Sequence, residues 1–97
     1  MRIEYSNRAV ADLRKASADS RRRFGNSVAA ALEVRIRDLV AHLAENPEAG
    51  SQIPARPGAR MAPLVRYPYK IFYRILQDRI LVLHIRHTSR RSWIPKR

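Results

Sequence analysis

Two apolar runs separated by a short polar turn, YKIFYRILQDRILVLHIRHTSRR at 69–91, constrain the fold of this chain more than any other stretch. Side chains of a β-strand alternate between the two faces of a sheet. A three-residue loop at Gln77, Asp78 and Arg79 would bring the odd-numbered positions of both strands to one face. A two-residue loop would instead mix charged side chains into both faces. Because register follows the apolar pattern where one face is buried, the sequence predicts the three-residue loop.

This register predicts one apolar and one cationic face. The apolar face would carry Ile71, Tyr73, Ile75, Leu81, Leu83 and Ile85. The cationic face would carry Lys70, Arg74, His84 and Arg86, with Phe72 as its one aromatic side chain and Val82 beside them.

The first half of the chain predicts one strand and two helices. Arg2–Tyr5 alternates over a short strand, and Ser6 is a suitable N-cap for a helix that continues to Ala18. Asp19 or Ser20 would cap the second helix, which places the basic run Arg21–Arg23 at its start. Apolar residues at three- and four-residue steps then predict the second helix, which the Asn46-Pro47 pair ends. This apolar stripe consists of Phe24, Val28, Leu32, Ile36, Leu39, Val40 and Leu43.

Residues 47–58 are rich in proline and glycine and predict a loop. Arg60–Arg66 predicts a strand, and Pro63 favours an edge or a bulge there. The order of elements predicts one α+β domain over residues 1–97, with a basic C-terminal tail from about residue 88. In it an N-terminal strand and a two-helix hairpin pack on an antiparallel sheet that three C-terminal strands complete.

The positive charge of the chain is high and unevenly distributed. The formal net charge is +12 for 97 residues. Residues 1–48 hold nine basic and seven acidic residues, whereas residues 49–97 hold eleven basic residues and one acid, Asp78. This concentration predicts an anionic partner, such as nucleic acid, an acidic protein segment or anionic lipid.

Other classes of site find little support in the sequence. The chain has no cysteine, which excludes disulfides and thiolate metal sites. Its three histidines do not stand at ligand spacing with a nearby carboxylate, so we expect no metal and no cofactor. No apolar run is long enough to span a bilayer, and the N-terminus does not have the pattern of a signal peptide. We therefore expect a cytoplasmic protein without a membrane partner.

Several stretches in sequence order resemble the RelE/ParE family of toxins from bacterial type II toxin–antitoxin modules. The opening strand and first helix, YSNRAVADL, are followed by a second helix, FGNSVAAALEVRI, and by the loop NPEAG. YKIFYR, a short acidic turn and a strand ending in HIRHTSRR complete the series. The resemblance covers nearly the whole chain, implies the same fold as the pattern above, and is closer to ParE-like members.

The resemblance implies one of two targets. ParE-like members poison DNA gyrase and need no hydrolytic site, whereas RelE-like members cut messenger RNA in the ribosome. Members of both groups are neutralised by a small, mostly acidic antitoxin. The chain is therefore expected to form a hetero-oligomer with a cognate antitoxin and to bind a replication enzyme such as gyrase. The alternative is a ribosome-dependent, metal-free mRNA interferase.

The nuclease alternative depends on three residues. Metal-free RNA cleavage needs an acid/base pair and cations that stabilise the phosphorane. Lys70 matches the family's basic residue in the YR/YK strand, Arg86 or Arg90 would supply the arginine, and His87 would be the acid/base. The family's C-terminal tyrosine is missing, and the indole of Trp93 cannot transfer a proton in its place. The set is partial, which favours the gyrase-binding function.

Cations and one aromatic residue are the candidates for binding the target or the antitoxin: Arg60, Arg66, Lys70, Arg74, His84, Arg86, Arg90, Arg91 and Trp93. His84 has a second interpretation as a hydrogen-bonded residue of the sheet. A third functional class, a general nucleic-acid-binding protein, would predict tight duplex binding with a steep salt dependence.

Overall fold

A computed structural model describes residues 1–88 of the chain. Two helices pack on a five-stranded sheet, and a short 3₁₀ turn, Pro47–Ala49, follows the second helix. The helices are α1, Asn7–Phe24, and α2, Asn26–Glu45. The strands are β1, Arg2–Tyr5; β2, Ser51–Gln52; β3, Ala59–Pro63; β4, Tyr69–Ile75; and β5, Arg79–His87.

The sheet has the order β1-β5-β4-β3-β2. The predicted α+β fold, with its N-terminal strand and helical hairpin, is confirmed. The expectation of a wholly antiparallel sheet is wrong in one pairing, because β1 lies parallel to β5. The sheet is therefore mixed. The predicted loop 47–58 also contributes the two-residue strand β2 at the opposite edge, where it pairs with β3.

The register of β4 and β5 differs from the predicted one near the turn. Ile75 pairs with Ile80 and Tyr73 with Val82, and the N–H of Leu76 donates to the carbonyl of Arg79 at 2.8 Å. The predicted three-residue loop is therefore wrong, because this is the register of a two-residue loop at Gln77 and Asp78. A bulge at Leu83 then shifts the register, and Phe72 pairs with His84. Such an extra residue reverses which face the following side chains occupy.

The register at the turn and the bulge together explain which side chains are buried against the helices. Ile80 and Val82, rather than Leu81 and Leu83, join Ile71 and Tyr73 in the main core. Beyond the bulge Ile85 joins the same core as predicted. Leu83 packs instead against Phe72, Ile53 and Ala59, in a smaller cluster on the other face of the sheet.

The boundary between the helices was placed incorrectly in the prediction. α1 continues through Phe24, and Gly25, with φ of +96°, makes the break before α2. The run Arg21–Arg23 therefore lies in the last turn of α1, where the helix dipole favours cations. Phe24 belongs to α1 and is 66% exposed, so it is not part of the α2 stripe.

The core stripe of α2 and its end agree with the prediction. Leu32, Ile36, Val40 and Leu43 are at most 1% exposed. Two small residues of α1, Ala9 and Ala16, pack in the same core. Neither helix of the described residues 1–88 is long and apolar enough to cross a membrane.

The third predicted strand is shorter than expected. β3 ends at Pro63, and Arg66 lies in the following loop with a positive φ of +77°. Thus Arg60, but not Arg66, belongs to the sheet.

Candidate functional site

The edge of β5 is covered first by β1 and then by the start of α1. β1 pairs with β5 only as far as Tyr5 and Val82. Beyond that point the Ser6 hydroxyl donates to the carbonyl of Leu83 at 2.9 Å and accepts the N–H of Ala9 at 3.0 Å. Ser6 is thus the N-cap predicted from the sequence, and the same hydroxyl joins the helix to the strand.

Asp12, six residues after Ser6, makes the next contact between α1 and β5. Its Oδ2 accepts the backbone N–H of Ile85 at 3.0 Å and also contacts Nδ1 of His84. One carboxylate oxygen therefore holds both the main chain and a side chain of β5. The β5 edge beyond β1 is satisfied by side chains of a helix rather than by another strand.

His84 lies at the centre of a polar cluster that we call the His84 cluster: Arg8, Asp12, His84 and Arg86. The guanidinium of Arg8 contacts Nε2 of His84 at 3.4 Å, and that of Arg86 contacts the same atom at 3.2 Å. Guanidinium groups only donate hydrogen bonds, so Nε2 must be the acceptor. The proton of the neutral ring then lies on Nδ1 and is donated to Asp12.

The surroundings of His84 favour its neutral form. Burial lowers the pKa of the imidazole, the hydrogen bond and charge of Asp12 oppose this, and the charges of Arg8 and Arg86 lower it further. The side chain is 3% exposed. The ring thus serves as a fixed acceptor for two arginines, with its only proton committed to Asp12.

A cavity of about 310 Å³ opens beside the His84 cluster. Lys15 and Asp19 of α1 line it together with Tyr69 and His87, whose rings meet edge to face at 5.1 Å. An adjoining groove of about 430 Å³ lies between the end of α1 and the β3–β4 loop. Its lining includes Phe24, Val28, Tyr67 and Tyr69.

The nuclease candidates lie on both faces of the sheet. Lys70 and Arg86 are directly opposite each other in β4 and β5, and they share the face of Phe72 and His84. His87 follows Arg86 and pairs with Tyr69, so its side chain takes the opposite face. Lys70 and Arg86 therefore share one face at paired positions, and His87 takes the other face. Arg86 and His87 nevertheless both line the cavity beside the His84 cluster.

The other predicted binding residues do not form one continuous surface. Arg74 shares the face of Lys70 and contacts the carbonyl of Pro57 at 3.5 Å. Arg60 is opposite Tyr73 on the other face and donates to the carbonyl of Gly50 at 2.8 Å. Arg66 is exposed in its loop. Arg90, Arg91 and Trp93, and most of the predicted basic tail, lie outside the described residues.

His84 differs from the exposed cation that the predicted cationic face implied. It is buried and hydrogen-bonded, in agreement with its second interpretation as a residue of the sheet. The reason is α1, which covers this end of β5.

Sequence reasoning missed the α1 side of the cluster. Arg8, Asp12, Lys15 and Asp19 recur at four-, three- and four-residue steps, which puts them along one side of a helix. This polar stripe was the available signal. Among residues 1–88, no group of three histidine or acidic side chains could hold a metal ion.

Comparisons with known proteins agree on one family. The family model described as the ParE toxin of the type II toxin–antitoxin system parDE matches residues 3–92. A chain of the chromosomal ParDE toxin–antitoxin system from P. aeruginosa is 26% identical, with a TM-score of 0.80, over 90% of this chain and 95% of that one. No curated protein matches the chain significantly.

Two E. coli structures are similar in fold. The isolated RelE toxin is 15% identical with a TM-score of 0.65, over 96% of this chain and 88% of that one. A chain of the intact RelBE toxin–antitoxin complex is also 15% identical with a TM-score of 0.65, over 93% of this chain and 98% of that one.

Proposed function

The chain belongs to the ParE toxin family of type II toxin–antitoxin systems, and we propose that it inhibits growth by binding a replication enzyme such as DNA gyrase. In this proposal it is a binding module of the cytoplasm rather than an enzyme. A cognate acidic antitoxin neutralises it by forming a hetero-oligomer with it.

The match to the ParE toxin family carries this proposal, and the incomplete set of nuclease residues supports it. General acid/base catalysis requires the proton-transfer group and the charge-stabilising cations to reach the same reacting phosphate. Lys70 and Arg86 occupy paired positions on one face of the sheet. His87 follows on the other face, although Arg86 and His87 both line the cavity beside the His84 cluster. His84, the other histidine nearby, has its proton committed to Asp12 and its second nitrogen in contact with two arginines. These observations favour target binding over RNA cleavage.

The distribution of charge supports an acidic antitoxin as the partner. Of the eight acidic residues in the chain, only Asp78 lies after Glu48, whereas eleven basic residues follow that point. The similar P. aeruginosa chain comes from a ParDE toxin–antitoxin system, and the E. coli RelBE structure is a toxin–antitoxin complex. An acidic segment would find complementary charge on this half of the domain.

Two assays on the purified protein test the proposed target. We expect inhibition of gyrase supercoiling and accumulation of the gyrase cleavage complex, while messenger RNA on programmed ribosomes stays intact. Cleaved message together with normal supercoiling would overturn the proposal in favour of the mRNA interferase.

The antitoxin is tested by co-expression. We expect the toxin to co-purify with the antitoxin of its own module and to lose gyrase inhibition in that complex. Purification of the toxin alone, with inhibition undiminished by the antitoxin, would contradict the proposed partner.

A further inference from the structure

We propose that the outer edge of β1 pairs with the same edge of a second copy of this chain, so that two sheets join into one across a two-fold axis. The partner is therefore another molecule of the same protein, bound through the main chain of Arg2–Tyr5. This inference goes beyond the proposed function, and it depends neither on gyrase nor on the antitoxin.

The main chain of β1 has one open side. In the parallel register with β5, the even-numbered residues Arg2 and Ser6 donate their N–H groups to carbonyls of β5. The alternation of a parallel ladder directs the N–H and C=O groups of Ile3 and Tyr5 away from β5. No hydrogen bond among residues 1–88 uses these outward groups. They are therefore available to another strand.

The open side of β1 is also accessible. β1 is the last strand at its end of the sheet. Met1 and Ile3 are 49% and 43% exposed, although both are large apolar residues. An unpaired strand edge with exposed apolar side chains is a template for a further strand.

The charges of β1 favour a second copy as that strand and select its register. When Ile3 lies opposite the partner's Ile3 in an antiparallel pair, Arg2 lies opposite the partner's Glu4 on both sides of the axis. Opposite charges at facing positions stabilise a pair of strands, and like charges destabilise it. A shift that sets Ile3 opposite the partner's Tyr5 would place Glu4 against Glu4. The two-fold axis therefore passes beside Ile3, and both copies present the same surface.

This register uses the outward backbone groups. Ile3 of each copy exchanges its N–H and C=O with the partner's Ile3, because both sets of groups point outward. Tyr5 comes to lie opposite the partner's Met1. The exposed parts of Ile3 and Met1 then meet on the side of the sheet that faces the helices, and apolar surface leaves water.

The net charge of +12 is not concentrated at this edge. Arg2 pairs with Asp78 at 3.5 Å, and Arg79 pairs with both Asp78 and Glu4. These two arginines and two acids leave no surplus charge among them. A carboxylate accepts several N–H groups, so Glu4 can keep Arg79 and also contact the partner's Arg2. Exposed cations elsewhere on the two copies are screened over about 8 Å at physiological salt.

Cysteine cross-linking tests the register, because the chain has no cysteine of its own. Facing residues of a hydrogen-bonded pair have Cα atoms about 5.5 Å apart, which suits a disulfide. Ile3→Cys should therefore form a covalent dimer in oxidised glutathione. The matched control is Ser51→Cys, an exposed position of β2 at the opposite edge of the sheet. We expect Ile3→Cys to react about tenfold faster, since pairing raises the effective concentration of the thiols. Equal rates would overturn the proposal.

Exchange of charge tests the partner by sedimentation velocity. Arg2→Glu and Glu4→Arg each set like charges opposite one another in a dimer of the variant, so each alone should associate more weakly than the wild type. An equimolar mixture of the two variants restores opposite charges at all four facing positions. The mixture should associate about tenfold more tightly than either variant alone. A mixture that behaves like its components would overturn the register.

Removal of the outward donor completes the test. The N–H of Ile3 takes no part in the pairing with β5, so Ile3→Pro should keep the fold, which urea denaturation checks. It should weaken the dimer about tenfold or more. A wild-type protein that stays monomeric at millimolar concentration would overturn the proposal. If Ile3→Pro instead weakens only the complex with the antitoxin, the edge binds the antitoxin, and the second copy is wrong. Gyrase inhibition is measured separately, so either result leaves the proposed function standing.

Discussion

Asp12 and His84 lie 72 positions apart in the chain, and the carboxylate of one binds the imidazole Nδ1 of the other. The same Asp12 oxygen accepts the Ile85 N–H at 3.0 Å. This pair therefore fastens α1 to the edge of β5 that β1 leaves uncovered, and it also fixes the position of the two arginines.

The first prediction concerns the replacement of Asp12 by alanine. The change leaves the Nδ1–H of His84 and the N–H of Ile85 without their acceptor, and each unsatisfied buried donor costs about 1–3 kcal/mol. We expect the free energy of unfolding to fall by about 2–4 kcal/mol, measured by urea denaturation.

Asp38→Ala is the matched control, because Asp38 is an exposed residue of α2. Its effect should stay within about 0.5 kcal/mol. Asp12→Asn keeps one acceptor oxygen and should fall between the two. Equal stability of Asp12→Ala and Asp38→Ala would show that the Asp12 contacts contribute nothing.

The second prediction is a loss of stability in mild acid. The pKa of His84 is lowered in the folded protein, chiefly by burial, whereas an unfolded histidine titrates near pH ~6.5. Between the lowered pKa and ~6.5 the unfolded chain binds more protons, so the free energy of unfolding rises with pH across this window. The contribution of His84 is complete above ~6.5 and is lost as the pH falls below that value.

Urea denaturation between pH 5 and 8 measures this effect, and His84→Gln should remove it. An NMR titration of the imidazole gives the same quantity directly. If His84 titrates above ~6.5, the Asp12 carboxylate outweighs burial, and the sign of the prediction is wrong.

The elements with a clear local signal could be predicted from the sequence. The apolar stripe of α2 and its end at Asn46-Pro47 follow from spacing and from the effect of proline on the preceding residue. The end of α1 could not be predicted from the sequence. Asp19 resembles an N-cap in the sequence, but in the structure it pairs with Lys15 and Arg22 on the surface of α1. The true break is Gly25, where a positive φ is required.

The site could be predicted only in part, because tertiary contacts build it. The alternation of side chains along the strands correctly predicts that Lys70 and Arg86 share one face of the sheet. Both residues lie on the same side of the bulge, away from the turn. The bulge itself is at Leu83, whose carbonyl is held by Ser6 from the far end of the chain. No local pattern in β5 reveals that contact, and none reveals that Asp12 lies against His84.

The third prediction concerns the hydroxyl of Tyr73, which joins β4 to the loop after α2. It donates to the carbonyl of Pro47 at 2.6 Å and accepts the N–H of Gly50 at 3.0 Å. Tyr73→Phe removes the donor to the part-buried Pro47 carbonyl and the acceptor of the buried Gly50 N–H. We expect the free energy of unfolding to fall by about 1.5–3 kcal/mol.

Tyr67→Phe is the control for this change, because Tyr67 is only partly buried; its effect should be within about 0.5 kcal/mol. Gly50→Ala tests the same hydrogen bond by changing the residue whose N–H contacts the Tyr73 hydroxyl. A Cβ on Gly50 would lie 2.6 Å from the Tyr73 hydroxyl and 3.0 Å from the Met61 carbonyl, so the loop must move. Stability unchanged by both Tyr73→Phe and Gly50→Ala would contradict this account.

The fourth prediction is that His87→Phe preserves toxicity. Phenylalanine keeps the edge-to-face packing on Tyr69, seen at 5.1 Å and 78°, but it cannot transfer a proton. A binding module should therefore inhibit growth and gyrase within about twofold of the wild type. An RNA-cleaving enzyme that used His87 would lose about 10²–10⁴-fold in rate. Growth inhibition, gyrase supercoiling and antitoxin binding are measured on the same variant. A loss of toxicity with antitoxin binding intact would assign His87 a catalytic role. That result would contradict the gyrase-binding proposal.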